Sequence, residues 1–317
     1  MTAGPGPEIL VIGEALVDVV RTSSGDTYSH PGGSPANVAV GLARLGTHPA
    51  LLTRLGRDAD ARVITDHLAA NDVALLPVVD NWPTNLAEAR VDHVGNAGYE
   101  FRLHWELPHD VLRDVDLASL RCVHTGSIAA TQPPGADTVH DLVAELHRSA
   151  TVSYDPNCRP TLMGDPLVVR RRVEALVEYA DIVKASNEDL AFLYPDVEVT
   201  DTARRWAAAG PALVVLTEGA SGYRAWNGAG SFSGSAVTVV VEDTVGAGDS
   251  FTSALLAGLH RRGLLGATHR DELRDLRHHV LGEVLHEAAT AAAITCSRAG
   301  ADPPTEAELA AYGRSAV

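Results

Sequence analysis

The chain has 317 residues, 45% hydrophobic and 21% charged, enough for one large α/β domain with ample core. Its formal net charge of −16 argues against nucleic acid or an anionic membrane as a partner. No run of 18 apolar residues is present, and the Gly/Pro start from Met1 to Glu8 lacks the basic region of a signal peptide, so a cytoplasmic protein is expected.

In chain order, the apolar run Ile9 to Ile12, closed by Gly13, predicts a buried strand. The segment 34–46 predicts a helix with Ser34 as N-cap and Pro35 at its first position. Strand, helix and strand recur over 50–55, 58–71 and 74–79. Residues 84–104 break the rhythm as a hairpin turning at Asn96-Ala97-Gly98. Further strands are expected at 123–124, 151–154, 182–184 and 212–217, with helices at 137–149 and 166–180. A hairpin-like stretch over 222–241 and helices over 250–262 and 272–294 complete the pattern. This alternation predicts a three-layer α/β sandwich with a mostly parallel sheet, as a single domain over 1–317. A small β lid is expected from about 15–30 and 84–107.

The segment Asp243-Thr244-Val245-Gly246-Ala247-Gly248-Asp249 is the most informative. Gly246 and Gly248 let an anion approach the backbone, and the following helix would aim unpaired N–H groups at it. Asp249 then reads as a base that takes a proton from an attacking hydroxyl. On this segment alone, a capped turn with Asp249 as N-cap fits equally well. Other polar groups cluster where strands should end, the usual place for an α/β site. They are Asp18; Gly32, Gly33 and Asn37; Asn157 and Arg159; and the turn Thr217-Glu218-Gly219-Ala220-Ser221-Gly222. There is no Gly-x4-Gly-Lys-Ser/Thr, no Gly-x-Gly-x-x-Gly after the first strand and no Gly-x-Ser-x-Gly elbow. Cys122, Cys158 and Cys296 read as reduced core thiols, and His278, His279 and His286 as a solvated helical face.

Gly32-Gly33-Ser34-Pro35-Ala36-Asn37 and Asp243 to Asp249 resemble the two signatures of the ribokinase-like, or PfkB, carbohydrate kinases. Gly13 to Asp18, Asp155 to Pro160 and Ser297-Arg298-x-Gly300-Ala301 look most like the fructokinase branch. The resemblance implies ATP-dependent phosphorylation of a sugar hydroxyl, with Asp249 as base and the backbone of Gly246, Ala247, Gly248 and Asp249 as anion hole. It places sugar contacts at Asp18, Gly32, Gly33, Asn37, Asn157 and Arg159, with Arg102 from the lid. It places nucleotide contacts at Ser186, Thr217, Gly219, Gly222 and Gly248. Mg²⁺ accompanies ATP, through Asp189 or Glu188 by way of water, and K⁺ is held in many relatives near Asp243 and Val245. The lid is implied to pair with a second subunit. Ser186-Asn187-Glu188-Asp189 departs from the family's Asn-x-x-Glu, and Phe101 to Leu107 departs from the small Ala/Asp pattern of fructokinases. A 2-keto-3-deoxygluconate kinase, using Arg102, His104 and Arg159 as cationic partners, and a non-catalytic sugar-binding protein are the alternatives.

Overall fold

The computed structural model describes residues 6–21, 27–91 and 97–315. The chain begins with strands β1 (Ile9–Ile12), β2 (Leu16–Arg21) and β3 (Thr27–Gly32), then helix α1 (Ser34–Arg44) and β4 (Pro49–Leu55). Next come α2 (Ala59–Ala70), β5 (Ala74–Val79), β6 (Leu86–Val91), β7 (Ala97–Arg102) and β8 (Cys122–Gly126). The middle holds α3 (Gly135–Leu146), β9 (Thr151–Asp155), α4 (Pro160–Met163), α5 (Pro166–Val177) and β10 (Ile182–Ser186). They lead to α6 (Asn187–Leu193), α7 (Val199–Ala209) and the strands β11 (Leu213–Thr217), β12 (Tyr223–Asn227) and β13 (Gly230–Gly234). The chain closes with α8 (Ala247–Arg261), α9 (Arg270–Arg274), α10 (His278–Cys296) and α11 (Glu306–Ser315).

Nine strands form one sheet in the order β13-β12-β11-β10-β9-β8-β1-β4-β5. Its strands all run in one direction except β12, which runs against its neighbours β11 and β13 near one edge. Period-two alternation splits each buried strand between two cores: Ile9 and Val11 face one, Leu10 and Ile12 the other. The first core packs α1, α2, α8 and α10, through residues such as Leu42, Ile64, Leu255 and Leu285. The second packs α3, α5, α6 and α7, through Val143, Val173, Leu190 and Trp206. The three-layer sandwich expected from the alternation is therefore present. Chain order reverses direction around β1, which opens a crevice at the carboxyl ends of the strands.

A second sheet of four strands, β3-β2-β6-β7, stands off this crevice. The turn expected at residues 96–98 lies partly outside the described residues. Fully buried Arg54 ties down the approach to β6. It grips the Asp80 carboxylate at 2.9 and 2.5 Å and donates to the carbonyls of Trp82 and Pro83. Those bonds satisfy a guanidinium that would otherwise be costly to bury, and they hold the Asp80 carboxyl below its ordinary range.

Two expected helices differ. The helix expected over 272–294 is broken at 275–277 into α9 and α10, because Leu276 turns inward to the core between them. The helix expected from Ser250 starts at Ala247, since Gly246 adopts left-handed backbone (φ 75°) and acts as its N-cap. No helix among the described residues is long and apolar enough to cross a membrane, and none of their His, Cys, Asp and Glu side chains form a metal-holding group.

Candidate active site

Asp249 stands at the third position of α8, buried, rather than at its cap. Its Oδ1 accepts the Ser34 hydroxyl at 2.6 Å and its Oδ2 accepts the Asn37 amide at 2.9 Å. The reading of Ser34 as N-cap is thereby corrected. Gly33 (φ 102°) caps α1, and Ser34, one step inside the helix, spends its hydroxyl on a carboxylate 215 residues away. Asn37, expected on the sugar, donates its side-chain amide to Asp249 in the same way. Gly246 must be glycine on two counts, its positive φ and a would-be Cβ only 2.6 Å from that of Ala301. Gly300 and Ala301 thus buttress the loop, as does Asp243, whose oxygens accept the N–H groups of Val245 at 3.0 Å and Gly300 at 2.9 Å. Those backbone bonds hold the Asp243 carboxyl below its ordinary range.

On the acceptor side, Asp18 of β2 packs its carboxylate against Gly32, where a Cβ would collide with it. Loss of surrounding water raises the Asp18 pKa, against the pull of His30 and Arg159. Arg159 bonds the Asn157 side-chain oxygen at 2.6 Å and stays exposed. Arg102 is exposed, with Asp60 at 3.4 Å and the Thr84 carbonyl at 3.3 Å. His104 stacks on Trp82, centroids 4.7 Å apart. Glu14, which the sequence reading passed over, is buried just past β1, where its Oε2 accepts the Ala129 N–H at 3.0 Å. Burial pushes its carboxyl up to about 7 despite bonds from Ser127 and the backbone.

Beyond α8 lies a cleft of about 530 Å³, bounded by Ser186, Thr217, Gly219 and Gly222 on one side and Ala289 and Cys296 on the other. Its apolar walls, with Val237, Val239 and Phe251, and its polar groups, with Asn157, Lys184 and Ser186, suit a nucleotide. Asn157 reaches this cleft, with left-handed backbone (φ 39°) and an Nδ2 buried without a partner. Ser186 and Asp189 form a reciprocal capping box on α6, and the second Asp189 oxygen accepts the Cys158 N–H at 2.6 Å. Both Asp189 oxygens are therefore engaged by protein, whereas Glu188 is exposed on the cleft wall with no hydrogen bond or ion pair among the described residues. Lys184, read from sequence only as the end of a strand, is buried in the cleft floor with its Nζ 2.9 Å from Asp155.

A buried, oriented carboxylate at a glycine-capped helix start, opening onto a nucleotide-sized cleft, defines a phosphotransferase acting on a hydroxyl. Comparison with known proteins agrees. The profile of the "pfkB family carbohydrate kinase" matches residues 7–308, so the chain belongs to that family, and it is an ATP-dependent sugar kinase. It is 33% identical to a fructokinase of Klebsiella pneumoniae over 81% of this chain and 86% of the relative. A fructokinase of Xylella fastidiosa with bound ATP shares the fold, with a TM-score of 0.88 at 24% identity over 97% of this chain and 98% of that one. A fructokinase of Vibrio cholerae O395 holding fructose, ADP and a calcium ion superposes with a TM-score of 0.80 at 26% identity, covering 96% and 98% of the two chains. The resemblance read from the two signatures is thus membership, on the fructokinase branch.

Proposed function

We propose that the protein transfers the γ-phosphoryl group of ATP to a hydroxyl of fructose. The observation that carries this reading is the Asp249 carboxylate, held between Ser34 and Asn37 of one signature and seated in the other. In the proposed reaction the hydroxyl oxygen attacks Pγ, Asp249 takes the proton, and the N–H groups of Gly246, Ala247, Gly248 and Asp249 receive the developing charge. Asp18, Gly32 and Gly33 bind the sugar, with Arg159 and Asn157 at the boundary between sugar and phosphates. Ser186, Thr217, Gly219 and Gly222 receive the nucleotide.

Mg²⁺, when bound with ATP, neutralises phosphate charge; Glu188, the carboxylate left free on the cleft wall, suits its water shell better than the engaged Asp189. The loop fastened by Asp243 around Val245 is the candidate K⁺ seat. The four-stranded sheet serves as the lid that excludes water. Exposed Tyr28 and Phe101 on it support pairing with a second copy.

A neutral sugar is favoured over a sugar acid. Of the three cations that could meet a sugar acid's carboxylate, Arg102 already faces Asp60 at 3.4 Å and His104 Nε2 faces Glu106 at 3.6 Å, which leaves Arg159. The test is ADP release with Mg²⁺, ATP and K⁺ over fructose, ribose, tagatose, adenosine and 2-keto-3-deoxygluconate. Fructose should have the highest kcat/KM by at least about tenfold. A higher value for 2-keto-3-deoxygluconate would refute the specificity, and silence over the whole panel would refute the reading.

A further inference from the structure

Lys184 lies in the otherwise apolar run of β10 and is 5% exposed. A buried ammonium is costly unless paired and hydrogen-bonded. Asp155, ending the adjacent strand β9, supplies one oxygen at 2.9 Å, and that oxygen also accepts the Thr252 hydroxyl at 3.4 Å. The other Asp155 oxygen accepts the Asn157 N–H at 3.2 Å. Burial works against the lysine's charge, yet Asp155, Asp189 and Asp249 together raise its pKa, so it stays cationic. Among the described residues Asp155 is its single hydrogen-bond partner, although an ammonium carries three donors. Lys184 borders the nucleotide cleft. A Cβ built on Gly248 would stand 2.9 Å from Nζ, so the ammonium lies directly against the backbone of the anion loop. Gly248 is therefore needed to admit this cation as well as a phosphate. The unpartnered Asn157 Nδ2 borders the same cleft.

The geometry points to Lys184 as a further catalytic residue, one that touches the terminal phosphate of ATP, with Asp155 as the residue that positions it. This rests on the kinase reading above. In the transfer a bond forms between the sugar oxygen and Pγ, and the bond from Pγ to the β–γ bridging oxygen breaks. The hydroxyl proton passes to Asp249, and ADP leaves with the electron pair. Lys184 neither gives nor takes a proton. Its fixed charge meets the negative charge spread over the oxygens of the transferring group, from a site already desolvated and oriented. The asymmetry follows: the helix start receives the group from one side and the strand-borne lysine from another.

The test measures kcat at saturating ATP and fructose for Lys184→Met and Lys184→Arg. Calorimetric Kd values for fructose, ATP and ADP are taken alongside. Lys184→Met should lose about 10²–10³-fold in kcat while fructose affinity stays within about threefold. Its preference for ATP over ADP should fall by about tenfold, because the lost contact belongs to the terminal phosphate. Lys184→Arg should restore part of both. A Lys184→Met protein with kcat within about threefold of wild type and an unchanged ATP/ADP ratio would overturn the assignment. So would equal losses for both nucleotides together with a lowered Tm, the signature of a merely structural lysine. Should Lys184→Met fail to fold, Lys184→Gln, which keeps a polar side chain that Asp155 can bond but removes the charge, must show the same fall in ATP/ADP preference. An unchanged ratio there refutes the proposal. The nucleotide ratio needs no acceptor, so an inactive wild type would count against the kinase reading alone.

Discussion

The two halves of the cleft are built on different plans. At the centre of the acceptor half two short contiguous segments, 32–37 and 243–249, meet through their side chains: Ser34 and Asn37 on Asp249. The nucleotide half is gathered from more places: the ends of β10 and β11, the turn 219–223, the run 236–241, and α8 and α10, with much of its wall apolar. Chemistry that depends on one oriented carboxylate tolerates little variation, so its residues stay bunched in segments that fold as a unit. A pocket for a nucleotide can be assembled from backbone and small side chains at many chain positions. The contrast predicts that damage to the acceptor half changes chemistry more than binding.

The largest expected effect follows at once. Asp249→Asn keeps an amide that Ser34 can still bond but removes the proton acceptor. The fold and ATP affinity should survive while kcat falls about 10²–10⁴-fold. Near-wild-type turnover, measured as ADP release, would show that the acceptor half does not house the base. Smallest is an effect on stability from Glu14, buried with its carboxyl at about 7 against an ordinary 4.5. Between those values the folded state holds a proton that the unfolded state has lost, so stability falls as pH rises and the loss is complete above about 7. Glu14→Gln should flatten that slope and gain ~1–3 kcal/mol at pH 8 relative to wild type. Identical Tm-versus-pH curves for the two proteins would contradict it.

The same contrast explains what could be read from the chain beforehand. The parallel sheet was legible in the alternation of apolar runs, whereas the segment around Asp249 fitted a capped turn equally well until its resemblance to a family signature was added. Partnerships across 215 residues were not: nothing local to Ser34 distinguishes a hydroxyl that caps its own helix from one that reaches Asp249. Lys184 was hidden for the opposite reason. A lysine closing an apolar run looks like the point where a strand meets water, and only the neighbouring strand shows that Asp155 keeps it buried. Arg102 shows a third limit. Nothing local to it announces the Asp60 carboxylate 3.4 Å away, a surface contact between residues 42 positions apart. The short helix α6 escaped because its seven residues bury only Leu190 and Leu193 as apolar side chains, too few for a helical period to show.

The central claim is that the two signatures form one catalytic unit around Asp249. A double-mutant cycle on kcat with Ser34→Ala, Asp249→Asn and their combination measures this directly. Ser34→Ala alone should cost about tenfold, the worth of a hydrogen bond to a charged group. In the Asp249→Asn background it should cost almost nothing more, because the base it serves is gone. Strictly additive losses would contradict the account, since they would mean that Ser34 acts on the reaction independently of Asp249.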